Sequence, residues 1–566
     1  MNNRNIFKLF YLNFTFALLG LVSIYLVDVV IKLISIERFY LINSYPYSYI
    51  PAFIILLIFS LVKSRKIFIY AVCIISLVLF CESLYLQYFG RFIPQQQIND
   101  LFSEYAEIQL ELLHEPILVI KALVPAILNF LLFMGISWIT RQRAEFSYAG
   151  RLLIIIQILF CIWIYFYESR ININPQTIFI NTYINAVHAF TMYISHEIPM
   201  SLSLKGDKTD YFLADAPVNR DKKERTPANI IFVMGESLGL DHMSVYGYRK
   251  STTPFLDSLK GDDNAIFLKG ISSSAKTSIS VPYILNMIKR PNGVRQILSY
   301  KTNLFRLARE NDFKTYYVTS TNINYLRSFI NYMGIKYIDN FVDHYSSLGH
   351  DNILDEVNVD YLAQVDFTEN NFIVLHMRGS HTPYVERYTK EFARYPVNDQ
   401  LSYRENRVNS YDNSVLYTDY VIRKIYSFLD NNTSTPAYIV FTSDHGESLG
   451  KNGIYGHVNN DIPIVIRVPI IIISVNGADL SFIREMQAEA IDRNIMNHYE
   501  MSKLMAWMLG YDINLSTEQG DGYFVNGNRL DGSGGIIKLQ FNEHNMLTDP
   551  VTGRVYAQPG NDNIAE

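Results

Sequence analysis

The chain has 566 residues, a formal net charge of −5 and three cysteines. That length exceeds one ordinary domain, and without a basic excess it offers no extended nucleic-acid surface. Cys73, Cys81 and Cys161 all stand in the apolar N-terminal third, so the rest has no thiolate metal ligand, cysteine nucleophile or internal disulfide.

Uncharged apolar stretches at about 9–34, 47–63, 67–89, 117–140 and 151–168 predict five transmembrane helices, forming a membrane domain over residues 1–170. The first reads as a span rather than a cleaved signal, because no small-residue cleavage site follows Val27 and four more spans do. Lys and Arg gather before the first helix (Arg4, Lys8), between the second and third (Lys63, Arg65, Lys66) and between the fourth and fifth (Arg141, Arg143, Arg151). The loop from Gly90 to Pro116 carries instead Glu104, Glu107, Glu111 and Glu115. Positive loops stay cytoplasmic, so the N-terminus faces the cytoplasm. Everything after Tyr167 is then extracytoplasmic, in a double-membraned bacterium the periplasm beyond the inner membrane. Asp28, Glu82 and Lys121 fall at the outer ends of their helices, where a charge has a partner or a task. Asp28, Glu82 and Lys121 are candidates for lining a cleft that binds a lipid headgroup, with snorkelling to the interface as the alternative.

Thr177 to Met200 is mixed and aromatic and predicts helices lying on the membrane surface. Lys205 to Arg225 is dense in charge and reads as an exposed linker, completing a connecting segment over 171–225.

Residues 226–566 form the soluble domain. Apolar runs of strand length, NIIFVM (229–234), KTYYVTS (314–320), NFIVLH (371–376), AYIVFTS (437–443) and VPIIIISV (468–475), alternate with helical patterns. This predicts an α/β domain, a mostly parallel sheet with helices on both faces. Tyr411, Val415, Ile422, Ile425 and Leu429 form an apolar stripe at helical spacing and read as core. GIIKLQF, near the C-terminus, predicts a further strand.

The strand ends carry the chemistry. NIIFVM runs into Gly235 and Glu236, NFIVLH ends at His376 shortly before His381, and AYIVFTS runs into Asp444 and His445. Ligands bind outside the carboxyl ends of such strands, so three segments deliver Glu, His and Asp-His to one edge. Those groups suit a zinc ion with an open coordination position. ISSSAKTSISVPYIL (271–285) supplies hydroxyls that a zinc could activate for attack on phosphorus. The spacing leaves Ser274, Thr277, Ser278 and Ser280 all open as the nucleophile. A non-catalytic alternative, a structural metal site on a partner-binding domain, fits less well, because closed zinc sites favour thiolates and imidazoles.

The segments VMGESLGLDHMSVYGYRKSTTPFL, AKTSISVPY, LHMRGSHTPY, NSYDNSVLYTDYVI and FTSDHGESLGKNGIYGH, after five spans, resemble the phosphoethanolamine transferases that modify bacterial lipopolysaccharide, in the alkaline phosphatase and sulfatase superfamily. The resemblance implies that Thr277 is the nucleophile and a zinc ligand, with Glu236, Asp444 and His445 as the remaining ligands. It implies that His381 and His457 act in catalysis, binding the phosphoryl group or a second zinc, and that His376 stands near the substrate. One catalytic zinc is implied, with a second left open. Phosphatidylethanolamine is the implied donor and lipopolysaccharide, at lipid A or a core sugar, the acceptor, with diacylglycerol released by a monomeric enzyme. Lipid A-modifying members carry a disulfide around the nucleophile loop; Ser273 and Tyr283 stand at the matching positions here, so packing is expected to hold this loop. Glu447 reads as a helix-start residue or one that supports the ligands. The alternatives are a related glycerophosphotransferase or phosphodiesterase of the lipoteichoic acid synthase type, or transfer to a periplasmic glucan. No Cys-x-Pro-x-Arg or Ser-x-Pro-x-Arg stretch lies near Thr277, which disfavours a formylglycine sulfatase.

Overall fold

A computed structural model describes residues 3–35, 64–89, 116–140, 182–192, 214–220, 228–321, 329–348, 353–450, 455–457, 462–484, 494–514, 522–527 and 536–558, with isolated positions between them. The chain divides into two compact units, residues 1–205 with 450–455 and residues 206–449 with 456–566.

In the first unit, α1 (Asn3–Ser35), α2 (Arg65–Phe89) and α3 (Pro116–Thr140) contain stretches long and apolar enough to cross a membrane. The span expected at 47–63 is described only at Ala52, Phe53, Leu56 and Phe59, and that at 151–168 lies outside the described residues. Phe16, Val72, Leu79 and Phe133 pack at the centre of the bundle, while Leu18, Ile74, Leu131 and Trp138 stay exposed, as lipid-facing side chains do. A fourth helix, α4 (Thr182–Met192), falls where surface-lying helices were expected. It is tied into the bundle by polar bonds. The Thr182 N–H and hydroxyl both donate to Asp28 Oδ1, and Asp28 Oδ2 pairs with Lys32 at 2.8 Å. Tyr183 donates to Asn129, whose amide donates to Ser76. Glu82 Oε1 accepts from Asn185 at 2.8 Å and from the Ile93 N–H at 3.1 Å. These buried groups find one another because no water is present to serve them.

The second unit is built on an eight-stranded sheet. Its strands are β1 (Asn229–Gly235), β2 (Ala265–Ile271), β3 (Lys314–Thr319), β4 (Asn340–Asp343), β5 (Asn371–His376), β6 (Ala437–Ser443), β7 (Arg467–Val475) and β8 (Ile495–Asn497). The spatial order is β8-β2-β7-β6-β1-β5-β3-β4. Only β7 runs against its neighbours; every other pairing is parallel. VPIIIISV was expected among the parallel strands, and its reversal is the one departure. Alternate residues of β1 enter two cores: Ile230, Phe232 and Met234 on one face, Ile231 and Val233 on the other. Both faces are covered, which explains the unbroken apolar runs. The expected stripe Tyr411, Val415, Ile422, Ile425 and Leu429 lies buried on α6 (Tyr403–Asn432), against the second face. A capping box of Ser402 and Glu405 starts that helix. On the first face lies α7 (His498–Met508).

The C-terminal part forms a separate antiparallel sheet, β9 (Tyr523–Val525), β10 (Ile537–Phe541), β11 (Leu547–Thr548) and β12 (Val555–Ala557). The strand expected at GIIKLQF is β10. The soluble unit also reaches further back than Thr226. Val218 and Asn219 pair with Asp512 and Tyr511, and the Arg220 guanidinium lies 4.0 Å from the Trp507 ring centroid. A stretch dense in charge is therefore anchored by backbone pairing and one stacked arginine.

Candidate active site

β1 and β6 are parallel neighbours in register, Gly235 opposite Ser443. The next residues, Glu236 and Asp444, therefore leave the sheet side by side. Ser237 adopts a left-handed backbone (φ 55°), which costs a non-glycine residue of order 1–3 kcal/mol and marks functional sites. The turn aims the Ser237 N–H at Asp444 Oδ1, 3.1 Å away, and Tyr411 braces it by donating to Ser237 O and accepting from the Gly239 N–H. Gly446 is required after His445, because a Cβ would stand 2.4 Å from Ile464 O.

The third contributor is α5 (Thr277–Leu285), whose first residue is Thr277. Thr277 Oγ1 lies 3.2 Å from Glu236 Oε2, 3.3 Å from Glu236 Oε1 and 3.2 Å from His445 Nε2. His445 Nε2 is also 3.2 Å from Asp444 Oδ2 and 3.4 Å from Glu236 Oε1. All four residues are buried. The His445 Nδ1 proton goes to Gly446 O at 3.0 Å, which leaves Nε2 presenting its lone pair. Burial pushes the His445 imidazole down to about 4, so it is neutral near pH 7. Two carboxylates and a bare imidazole nitrogen thus converge on one hydroxyl. Asp444 Oδ2 accepts no hydrogen bond among the described residues. A buried acceptor cluster of this kind is costly unless a cation joins it. Glu236, Asp444 and His445 have the spacing to hold one, and oxygen and imidazole ligands suit zinc.

Next to this cluster runs a row of histidines. The rings of His445 and His457 stack with centroids 4.0 Å apart, and His381 lies 6.1 Å from His457. Glu447 orients the row. Its Oε2 meets His457 Nδ1 at 2.8 Å, and its Oε1 accepts from Tyr384 at 2.8 Å. Arg407 in turn donates to the Tyr384 hydroxyl at 3.0 Å. Burial would raise the Glu447 carboxyl, but His457, Arg407 and Tyr384 hold it below its ordinary value. Glu447 starts no helix; it supports His457. His381 sits just past Gly379, which has φ 53° and backs onto Glu236, where a Cβ would come within 2.6 Å of the Glu236 nitrogen. Only glycine fits such a contact.

Of the three other expected substrate contacts, the one at Glu82 is corrected. His376 pairs with Met234 inside the sheet, two residues before Glu236. It is wholly buried, with Nδ1 2.5 Å from the Tyr317 hydroxyl. Glu82 is enclosed by its bonds to Asn185 and Ile93, whereas Lys121 is exposed. The two do not form one headgroup cleft.

The positions that bracket the Thr277 loop are held without a disulfide. Tyr283 is buried and accepts from the Gly293 N–H. Ser273 is bonded at both backbone groups, its N–H to His498 Nδ1 and its carbonyl to the Asn526 N–H. His498 carried no sequence signal beyond the Asn497–Glu500 capping box beside it.

Residues 228–510, half of the chain, match the family described as Sulfatase. The chain belongs to the sulfatase family. Among curated relatives, the phosphoethanolamine transferase EptA of Helicobacter pylori is 29% identical over 238 residues, 40% of this chain and 43% of that protein. EptA of Salmonella typhimurium is 27% identical over 339 residues, 56% of this chain and 58% of that protein. The chain thus spans about half the length of the curated relatives it matches. The solved integral membrane protein lipooligosaccharide phosphoethanolamine transferase A of Neisseria meningitidis superposes with a TM-score of 0.55 at 19% identity, covering 90% of this chain and 96% of that one. The sulfatase-family fold following apolar N-terminal helices is therefore common to both.

Proposed function

We propose that this protein is a phosphoethanolamine transferase of the bacterial inner membrane. It moves phosphoethanolamine from phosphatidylethanolamine to lipopolysaccharide, at lipid A or a core sugar, and releases diacylglycerol. The observation that carries the reading is the position of Thr277 Oγ1, 3.2 Å from both Glu236 and His445 at the first turn of α5. The names borne by the relatives support the substrate class. In this reading the soluble unit is periplasmic, where it reaches headgroups of the outer leaflet, and the enzyme works as a monomer.

Glu236, Asp444, His445 and Thr277 Oγ would hold a zinc ion, which when bound acidifies the hydroxyl and offsets phosphoryl charge. The chain's own groups supply the rest. Glu236 Oε2 stands 3.2 Å from Thr277 Oγ1, within reach of the hydroxyl proton. Thr277 Oγ attacks phosphorus, the P–O bond to glycerol breaks, and the diacylglycerol oxygen takes a proton. His457, oriented by Glu447, and His381 beside it are the donors nearest to hand. The N-terminus of α5 favours the negative charge on the phosphoryl oxygens. An acceptor oxygen then attacks the Thr277 ester, and the threonine hydroxyl is restored. One phosphate ester replaces another, so no ATP is needed.

Purified full-length protein given fluorescent phosphatidylethanolamine is expected to release labelled diacylglycerol and to gain phosphoethanolamine mass on the Thr277 peptide. T277A is expected to abolish both. Turnover unchanged in T277A, or an unmodified Thr277 peptide, overturns the assignment. Mass spectrometry of lipopolysaccharide from cells with and without the gene identifies the acceptor.

A further inference from the structure

His498 opens α7 directly after β8 and is wholly buried, yet it belongs neither to the carboxylate cluster nor to the histidine row. Its ring stands between three segments that must agree for the site to form. Nδ1 accepts the Ser273 N–H at 3.1 Å and lies 3.3 Å from Ser280 Oγ. Nε2 lies 3.2 Å from Thr442 Oγ1. A backbone N–H can only donate, so Nδ1 is the bare nitrogen and the Nε2 proton goes to Thr442. The neighbouring hydroxyls agree: Thr442 donates to Pro469 O at 2.7 Å and Ser280 to Asp444 O at 2.7 Å. One neutral imidazole thereby joins the loop before α5 to the end of β6, while the Ser280 bond to Asp444 O ties the start of α5 to the same strand end.

Thr277 lies between the two tied points, Ser273 and Ser280. Asp444 lies two residues beyond Thr442. The local sequence does little to hold this segment, because Lys276 at the head of α5 provides no side-chain cap. On the far side of Ser273, the carbonyl accepts from the Asn526 N–H at 2.7 Å and from its side-chain amide at 3.2 Å. The loop is therefore clamped between α7 and the C-terminal sheet.

We propose that His498 is a positioning residue for the transfer reaction: it fixes the start of the segment that carries Thr277 to the end of β6 and so sets the Thr277 hydroxyl against Glu236 and His445. It has no contact with the reacting atoms. The proposal rests on the reading of Thr277 as the nucleophile. Displacing a reacting atom by an ångström costs roughly 100-fold in rate, which sets the scale of the effect.

The test uses the full chain in detergent with fluorescent phosphatidylethanolamine, and compares H498L, which keeps bulk without polar atoms, with H498N, which keeps an acceptor for the Ser273 N–H. H498L is expected to lower kcat by up to roughly 100-fold with KM unchanged, and to speed amide exchange at Ser273. H498N is expected to recover most of kcat and of the protection. Wild-type kcat in H498L, unchanged exchange at Ser273, or an H498N as slow as H498L overturns the proposal. Should H498L fail to fold, T442V, which removes the acceptor of the Nε2 proton, carries the test: lower kcat at constant KM supports it and wild-type kcat overturns it. If the wild type releases no diacylglycerol, the transferase reading fails, while exchange at Ser273 still decides whether His498 holds the loop.

Discussion

Glu447 sits where two demands meet. Its carboxylate is buried, which disfavours its charge, but it faces His457, the Tyr384 hydroxyl and the Arg407 guanidinium, 3.8 Å away. Those partners prevail and hold its carboxyl below the ordinary value. A depressed carboxyl stabilises the fold above its unfolded-state pKa, and that contribution is lost as pH falls through the folded-state value. E447Q keeps the shape but removes the charge opposite Arg407. It is expected to cost about 1–3 kcal/mol near neutral pH. The gap to wild type is expected to close below the ordinary glutamate value of about pH 4.3. Thermal unfolding of both proteins across that range measures it, and a gap that widens in acid contradicts the assigned network.

At the scale of elements, the site is a consequence of register. Parallel pairing of β1 with β6 places Glu236 beside Asp444, and the strained turn at Ser237 survives because Tyr411 on α6 bonds both Ser237 O and the Gly239 N–H. Y411F removes one oxygen and strands two buried backbone groups. It is expected to cost about 1–3 kcal/mol and to lower kcat more than it raises KM, as kinetics and denaturant unfolding would show together. Much of this was legible in the sequence, because strands buried on both faces are unbroken apolar runs and their ends carried Glu236, Asp444 and His445. β2 was not legible, since Lys269 interrupts AIFLKGI; its ammonium is bonded to Gln558 O. β4 and β8, with four and three residues, are too short to show a period. The reversal of β7 leaves no trace in composition, because a strand covered on both faces reads the same in either direction. His498 and Ser273 lie 225 positions apart, and only the folded chain brings them together.

The molecule as a whole joins two units that stabilise themselves by different physics. The soluble unit buries apolar strands against water, whereas helices in lipid gain little from apolar burial and associate through packing and polar matching. In the membrane unit that matching is concentrated on α4, which is received by Asp28, Asn129 and Glu82 from three different helices. Asp28 is the strongest test, because it bonds Thr182 and also neutralises Lys32, with both side chains about 1% exposed. D28A strips a buried ammonium of its carboxylate, and breaking one side of such a pair costs about 3–5 kcal/mol. D28A/K32M removes both charges, and replacing a buried pair by apolar groups is often neutral or better. The double variant is therefore expected to be more stable than the single one in denaturant titrations of detergent-solubilised protein, though Thr182 has lost its acceptor in both. A double variant no more stable than D28A would mean that the lost Thr182 bond, and not the stranded Lys32 charge, sets the cost of D28A.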